Sequence, residues 1–205
     1  MIVYPVINAL KSKLFDQVIV STEDAEIAEI GKQAGARVIQ RPERLAQDHS
    51  TVVEVCENVL KTLEKEKNFP DRFCCIYPTA IFISIQDVLD SYKLLIKAPI
   101  PDVVMGVSDF NILPVQALEE NHGFLRYKWS EYKGMQSQLH PKLVASNGTL
   151  YWARSKRFLG EKTFYTERLI GYEMPWVKAV DIDTPEDFKI AQMLAANLLF
   201  KEVDQ

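Results

Sequence analysis

Between Asp16 and Val107 the chain alternates short apolar or β-branched runs with longer amphipathic ones, and this alternation restricts its fold most. Asp16–Thr22, Arg37–Gln40, Arg72–Tyr77 and Asp102–Val107 read as strands of parallel-sheet type, rich in Val, Ile and other apolar residues. The intervening stretches 23–34, 51–66 and 85–97 carry apolar residues at helical spacing. Ser21 or Thr22 is available to cap the first of these helices, Gly35 to end it, and the second begins after Ser50. A further helix is expected over residues 5–13, with Pro5 near its start. The order predicts an α/β fold, a doubly wound and mostly parallel sheet covered on both faces. At 205 residues the chain has the length of one such domain.

After residue 108 the rhythm changes. Residues 109–145 hold short β-like pieces (Val115–Leu118, Gly123–Trp129) between polar loops, which reads as a small β-rich insertion. Gly148–Ala153 is expected to return to the sheet as a strand, and 154–175 to form a second excursion containing Phe164 and Tyr165. The stretch Lys178–Phe188 then reads as a strand turning into a helix, with Val180 and Ile182 on one face and Asp181 and Asp183 on the other. Two carboxylates so placed are able to share a hard cation, although capping alone also explains an Asp-x-Asp at a strand end. Thr184 suits the N-cap, Pro185 the first helical position, and Asp187 completes a capping box. Phe188, Ile190, Ala191, Leu194, Ala195 and Leu198 give that last helix its apolar face.

A net charge of −4 gives no support to a nucleic-acid-binding surface. No apolar run approaches a membrane span, and no signal peptide is legible. Cys56, Cys74 and Cys75 lack metal-ligand spacing and read as buried, reduced thiols of a cytoplasmic protein. No Gly-x-Gly-x-x-Gly follows a strand, and no nucleophile elbow accompanies the three histidines, which argues against a dehydrogenase or a serine hydrolase.

Five segments, in order along the chain, carry a more specific resemblance. They are Leu14–Asp24, Arg41-Pro42 with Leu45–Asp48, Cys74–Ala80, Asn147–Trp152 and Asp181–Asp187. Together they resemble the acylneuraminate (CMP-nonulosonic acid) cytidylyltransferases, and most closely the pseudaminic acid branch. The resemblance implies the nucleotide-diphospho-sugar transferase type of α/β fold. It also implies transfer of CMP from CTP to a nine-carbon 2-keto sugar acid with release of pyrophosphate, in the presence of Mg²⁺. Asp181 and Asp183 match the family's metal-binding pair, and Arg41 a nucleotide contact. Tyr77, Gln138, Asn147 and Tyr151 match positions near the sugar acid. Phe164 and Tyr165 resemble an aromatic pair that reaches into a partner subunit, so the resemblance implies a homodimer built on 109–145 and 154–175.

The chain departs from the family's pattern in four places, one being Thr79-Ala80-Ile81-Phe82, which lacks the proline usual after the small residue. Gln136-Ser137-Gln138 stands for Arg-Ser-Gln, Ala145-Ser146 for His-Asp, and Met1–Pro5 aligns with the helix after the family's first strand and its glycine- and basic-rich phosphate loop. Two readings follow: a Mg²⁺-dependent cytidylyltransferase, or a divergent, non-catalytic relative that serves as a dimeric binding protein. A glycosyltransferase that uses Asp-x-Asp for a nucleotide sugar is a third.

Overall fold

Side-chain caps set where the helices begin. In the computed structural model, which describes residues 1–198, α1 spans Val3–Ser12, β1 Ile19–Thr22, α2 Ala25–Gln33 and β2 Arg37–Gln40. The Asp24 carboxylate accepts the N–H groups of Glu26 and Ile27 at the start of α2, a role the sequence reading gave to Ser21 or Thr22. Gly35, at φ +95°, takes the left-handed turn after the helix, and its N–H bonds Lys32 O. Reciprocal capping boxes open α3 (Val52–Lys65), through Thr51 and Glu54, and α4 (Ile85–Ile96), through Ser84 and Asp87. Between them runs β3 (Arg72–Ile76). The last helix, α6 (Pro185–Leu198), has the expected box: Asp187 N–H donates to Thr184 Oγ1, and Asp187 Oδ2 accepts from Thr184 N–H.

A four-stranded sheet is the centre of the molecule. Its order is β3, β7 (Val144–Arg154), β4 (Val103–Asp109) and β8 (Leu169–Glu173). β7 runs antiparallel to both neighbours, whereas β4 and β8 are parallel. The sheet is therefore mixed rather than mostly parallel. The chain leaves the end of β4, makes the excursion 110–143 without a crossover helix, and re-enters beside the strand it left, which forces an antiparallel return. β1 and β2 form a separate parallel pair. Strand β3, expected to be buried, is half-buried throughout, because among the described residues its only strand partner is β7.

Alternation along β4 and β7 builds two layers of core. Val103, Met105, Val107, Tyr151 and Ala153 face α3 and α5 (Ser155–Glu161), packing on Leu60 and Phe158. Val104, Leu150 and Trp152 face α4, packing on Val88 and Leu95. This is the three-layer α/β arrangement that the sequence predicts. In the second layer the Trp152 indole N–H donates to Ser91 Oγ at 3.0 Å, both groups being buried. Trp152→Phe, which orphans that acceptor, is expected to lower unfolding stability by about 1–2 kcal/mol. A urea midpoint unchanged from the parent protein would contradict it.

Three expectations need correction. Residues 154–175 are not an excursion inserted into the domain, because they contain α5 and β8, and β8 lies in the main sheet beside β4. Residues 177–183 are not a strand: a 3₁₀ turn covers Trp176–Lys178 and the chain is irregular from there to α6. β8 already holds the sheet position next to β4, and Val180 and Ile182 instead pack on Ile81, Phe82 and Ala191. The α6 face is narrower than expected, with Ala191 buried and Leu194 and Ala195 against it, but Phe188 and Ile190 exposed. The side chain of Leu198 and residues 199–205 lie outside the described residues.

Candidate active site at the carboxyl ends of β4 and β8

Ligands of open α/β sheets bind beyond the carboxyl ends of parallel strands. At that edge lies a cavity of about 460 Å³. Ser108 and Asp109 come to it from the end of β4, Ala145–Gly148 and Tyr151 from the entering half of β7, Tyr165 from the loop before β8, and Trp176, Ala179 and Asp181 from the irregular segment after it. Four of the residues singled out from the sequence, Asn147, Tyr151, Tyr165 and Asp181, thus line one hollow.

Its wall is fixed by hydrogen bonds. Asn147 Oδ1 accepts from Thr149 N–H at 3.2 Å and Thr149 Oγ1 at 2.6 Å, while Asn147 Nδ2 donates to Ser108 Oγ at 3.1 Å. Ser108 Oγ in turn donates to Met174 O at 2.8 Å. Most of the Asn147 carboxamide is therefore engaged within the protein, and one N–H of its Nδ2 is left over from these bonds. The Tyr151 and Ser146 hydroxyls are 2.7 Å apart. Tyr77, on the same sheet edge, has its ring centroid 5.6 Å from that of Tyr151. Burial and the neighbouring Tyr151 push the Tyr77 phenol up, and burial raises Tyr151 as well, so both stay protonated at neutral pH.

The remaining predicted residues lie outside the lining. Asp183 is exposed at the entry to α6, and its backbone N–H donates to Asp187 Oδ2 at 3.3 Å. With no strand beneath them, Asp181 and Asp183 do not share a strand face. Arg41 bridges the ends of β1 and β2, its Nη2 2.5 Å from Ser21 O and its Nε 3.7 Å from Glu23. Gln138 is exposed on a 3₁₀ turn and donates to Gln136. Phe164 corrects the sequence reading: it is buried in its own chain against Phe158, Tyr151 and Phe73, and does not project outward as Tyr165 does.

Sequence reasoning missed Ser108, Asp109 and Trp176. The rule about strand ends points to Asp109 once β4 is extended past Val107. Trp176 carried no signal. The lining holds two carboxylates, Asp109 and Asp181, and no lysine or arginine. Among the described residues neither Asp181 nor Asp183 has an ion-pair partner, and no cluster of three or more metal-ligating side chains occurs. Such a donor set fits Mg²⁺, which commonly binds one or two carboxylates and completes its shell with water and phosphate oxygens.

A sequence profile described as cytidylyltransferase matches residues 1–204. The chain belongs to the cytidylyltransferase family. Among its relatives is the pseudaminic acid cytidylyltransferase of Campylobacter jejuni serotype O:2, 27% identical over 198 residues that span 95% of this chain and 84% of the relative. The CMP-N,N′-diacetyllegionaminic acid synthase of Legionella pneumophila is 25% identical, over 95% of this chain and 84% of that one. The N-acylneuraminate cytidylyltransferase of Escherichia coli O18:K1:H7 is 25% identical over 93% of this chain and 45% of its own. In fold, the family member resembles a CMP:2-keto-3-deoxy-manno-octonic acid synthetase complexed with CTP. That match has a TM-score of 0.64 at 13% identity, over 96% of this chain and 87% of that one. A 4-diphosphocytidyl-2C-methyl-D-erythritol synthase gives 0.60 at 11% identity, over 94% and 87%. These structures bear out the expected nucleotide-transferase type of α/β fold.

Proposed function

We propose that this cytidylyltransferase activates a nonulosonic sugar acid with CTP, forming the CMP-sugar and pyrophosphate. The observation that carries the reading is the convergence of Asn147, Tyr151, Tyr165 and Asp181, from separate parts of the chain, on one cavity at the carboxyl ends of β4 and β8. The three relatives named above, each called after a nonulosonic acid, support the substrate class. In the reaction the sugar's anomeric hydroxyl oxygen bonds the α-phosphorus, the bond from that phosphorus to the bridging oxygen breaks, and the hydroxyl proton is lost.

Both substrates are anions, and the cavity wall is acidic. Asp181, with Asp109 of the same lining and Asp183 two residues on, would hold Mg²⁺, which when bound neutralises the triphosphate and the departing pyrophosphate. Ser108 and the free N–H of Asn147 offer hydrogen bonds to a polyhydroxylated ligand. Tyr165, the exposed tyrosine of the lining, would meet its carbon skeleton, and the Tyr151 hydroxyl would offer a further hydrogen bond beside Ser146. Arg41, Tyr77 and Gln138 stand outside the lining. Incubation with CTP, Mg²⁺ and a panel of nonulosonic acids should yield a CMP-sugar by mass spectrometry, and chelation with EDTA should stop it. Absence of product together with no CTP binding by calorimetry would replace this reading with the non-catalytic relative.

The same reading takes the protein as a cytoplasmic homodimer. No helix among the described residues is long and apolar enough to cross a membrane. The antiparallel hairpin β5 (Leu118–Asn121) and β6 (Phe124–Tyr127) is exposed along its whole length and shows Phe124 at 71% and Leu125 at 66% exposure. Apolar side chains held so far into water call for a cover, and in the proposed dimer a second copy of the hairpin would supply it. Phe124→Ser with Leu125→Ser should convert a dimer to a monomer in sedimentation velocity. A parent protein that sediments as a monomer would remove the dimer.

A further inference from the structure

The segment 175–184 carries the cavity wall residues Trp176, Ala179 and Asp181, yet among the described residues it pairs with no strand. Its own backbone bonds are local: Lys178 N–H to Pro175 O and Ala179 N–H to Trp176 O, each 2.9 Å. Lys178 departs from this pattern. Its Nζ lies 2.7 Å from Asp87 Oδ2 and 3.4 Å from Ser84 Oγ, at the first turn of α4. Asp87 is buried, and it also accepts from Ser84 N–H at 2.8 Å, Ser84 Oγ at 2.5 Å and Tyr172 Oη at 2.9 Å. One carboxylate therefore joins α4, β8 and the segment that carries Asp181.

We propose that the Lys178–Asp87 ion pair is a positioning device that holds the Trp176–Asp181 segment against the sheet and so sets where Asp181 stands in the cavity. The proposal rests on the cytidylyltransferase reading above for its catalytic consequence, and on the contacts alone for its structural one.

Three physical points support it. Asp87 is buried and Lys178 only partly so, so desolvation of the carboxylate offsets much of the attraction, and fixing one arrangement over others is a better-attested use of such a pair. Asp87 is satisfied by three other hydrogen bonds, so the pair holds the lysine more than the aspartate. An ammonium beside a helix N-terminus is unfavourable by itself, so Lys178 takes this place because the carboxylate is there. Burial raises the Asp87 pKa, but the bonds from Lys178 and Ser84 outweigh it and hold the group below its ordinary value. The pair is therefore present at neutral pH and is lost only as pH falls through that lowered pKa.

The test uses the full chain with Lys178→Met, Lys178→Arg and Asp181→Asn. Two quantities are followed besides turnover: Mg²⁺-dependent CTP affinity by calorimetry, and acrylamide quenching of Trp176, taken as the difference from a Trp176→Phe background. Lys178→Met should weaken Mg²⁺-dependent CTP binding about tenfold and raise KM more than it lowers kcat, the size seen for residues that orient metal ligands. It should also increase Trp176 quenching while the unfolding midpoint stays in place, and Lys178→Arg should restore most of the loss. Unchanged quenching and affinity in Lys178→Met overturn the proposal. So does a loss of affinity that follows an equal fall in unfolding midpoint and is not rescued by arginine. Asp181→Asn separates the two readings: if it is silent, the site assignment fails and the quenching arm still decides the clamp; if it alone abolishes binding, only the clamp fails.

Discussion

Asp181→Asn is expected to lower formation of the CMP-sugar by roughly 100-fold or more while leaving the unfolding midpoint unchanged. The exposed carboxylate forms no ion pair among the described residues, and its one protein bond, from Ile182 N–H at 3.1 Å, is equally available to a carboxamide oxygen. The substitution thus removes a charge and little else. That charge is proposed to anchor Mg²⁺ against the triphosphate, and stabilisation of developing charge in a site is commonly worth about 10²–10³ in rate. Asp183→Asn should cost less, about tenfold, because Asp183 stands outside the cavity lining. Pyrophosphate release measured against Mg²⁺ concentration checks both. Full activity in Asp181→Asn, at saturating and limiting Mg²⁺ alike, would remove Asp181 from the mechanism.

Gly106→Ala is expected to destabilise the fold by about 1–3 kcal/mol and to raise KM for the sugar acid as well. Gly106 sits where the β4–β7 register shifts between Met105 and Val107. A Cβ there would meet Asn147 Oδ1 at 2.6 Å, Thr149 Oγ1 more closely still, and Met174 Sδ at 3.3 Å. Both oxygens are side-chain atoms, but hydrogen bonds hold them in place. The two are hydrogen-bonded to each other, and Asn147 also holds Ser108. Making room for one methyl therefore shifts the cavity wall, which links a packing change to a functional one. A urea midpoint and KM both equal to the parent's would show that the wall gives more easily than its bonds suggest.

Much of the architecture was legible because it depends on local rules. Thr184 with Asp187, and Gly35, behave as residues of their type behave at helix ends, whatever packs above them. The strands 19–22, 37–40 and 103–107 declared themselves through runs of Val, Ile and Met. The run from Lys178 to Asp183 misled for an instructive reason. Alternation of apolar and acidic residues requires only that Val180 and Ile182 find something apolar, and the loop at Ile81-Phe82 served in place of a pleated neighbour. Phe164 misled similarly: aromatics that look outward in a polar stretch give no sign that the chain will fold them back on Phe158.

By itself the sequence determined the approximate spans of five of the helices, the three-layer α/β plan and, through five short segments in order, the cytidylyltransferase family. Each of these is written in short-range patterns of capping, periodicity and motif. Only the tertiary structure decided that β7 runs antiparallel to β3 and β4, that β8 rather than 177–183 lies beside β4, and that Ser108, Asp109 and Trp176 share a cavity with Asp181. Those outcomes depend on which distant segments compete for the same sheet edge. That competition is settled by packing and long-range hydrogen bonding, which no local pattern encodes.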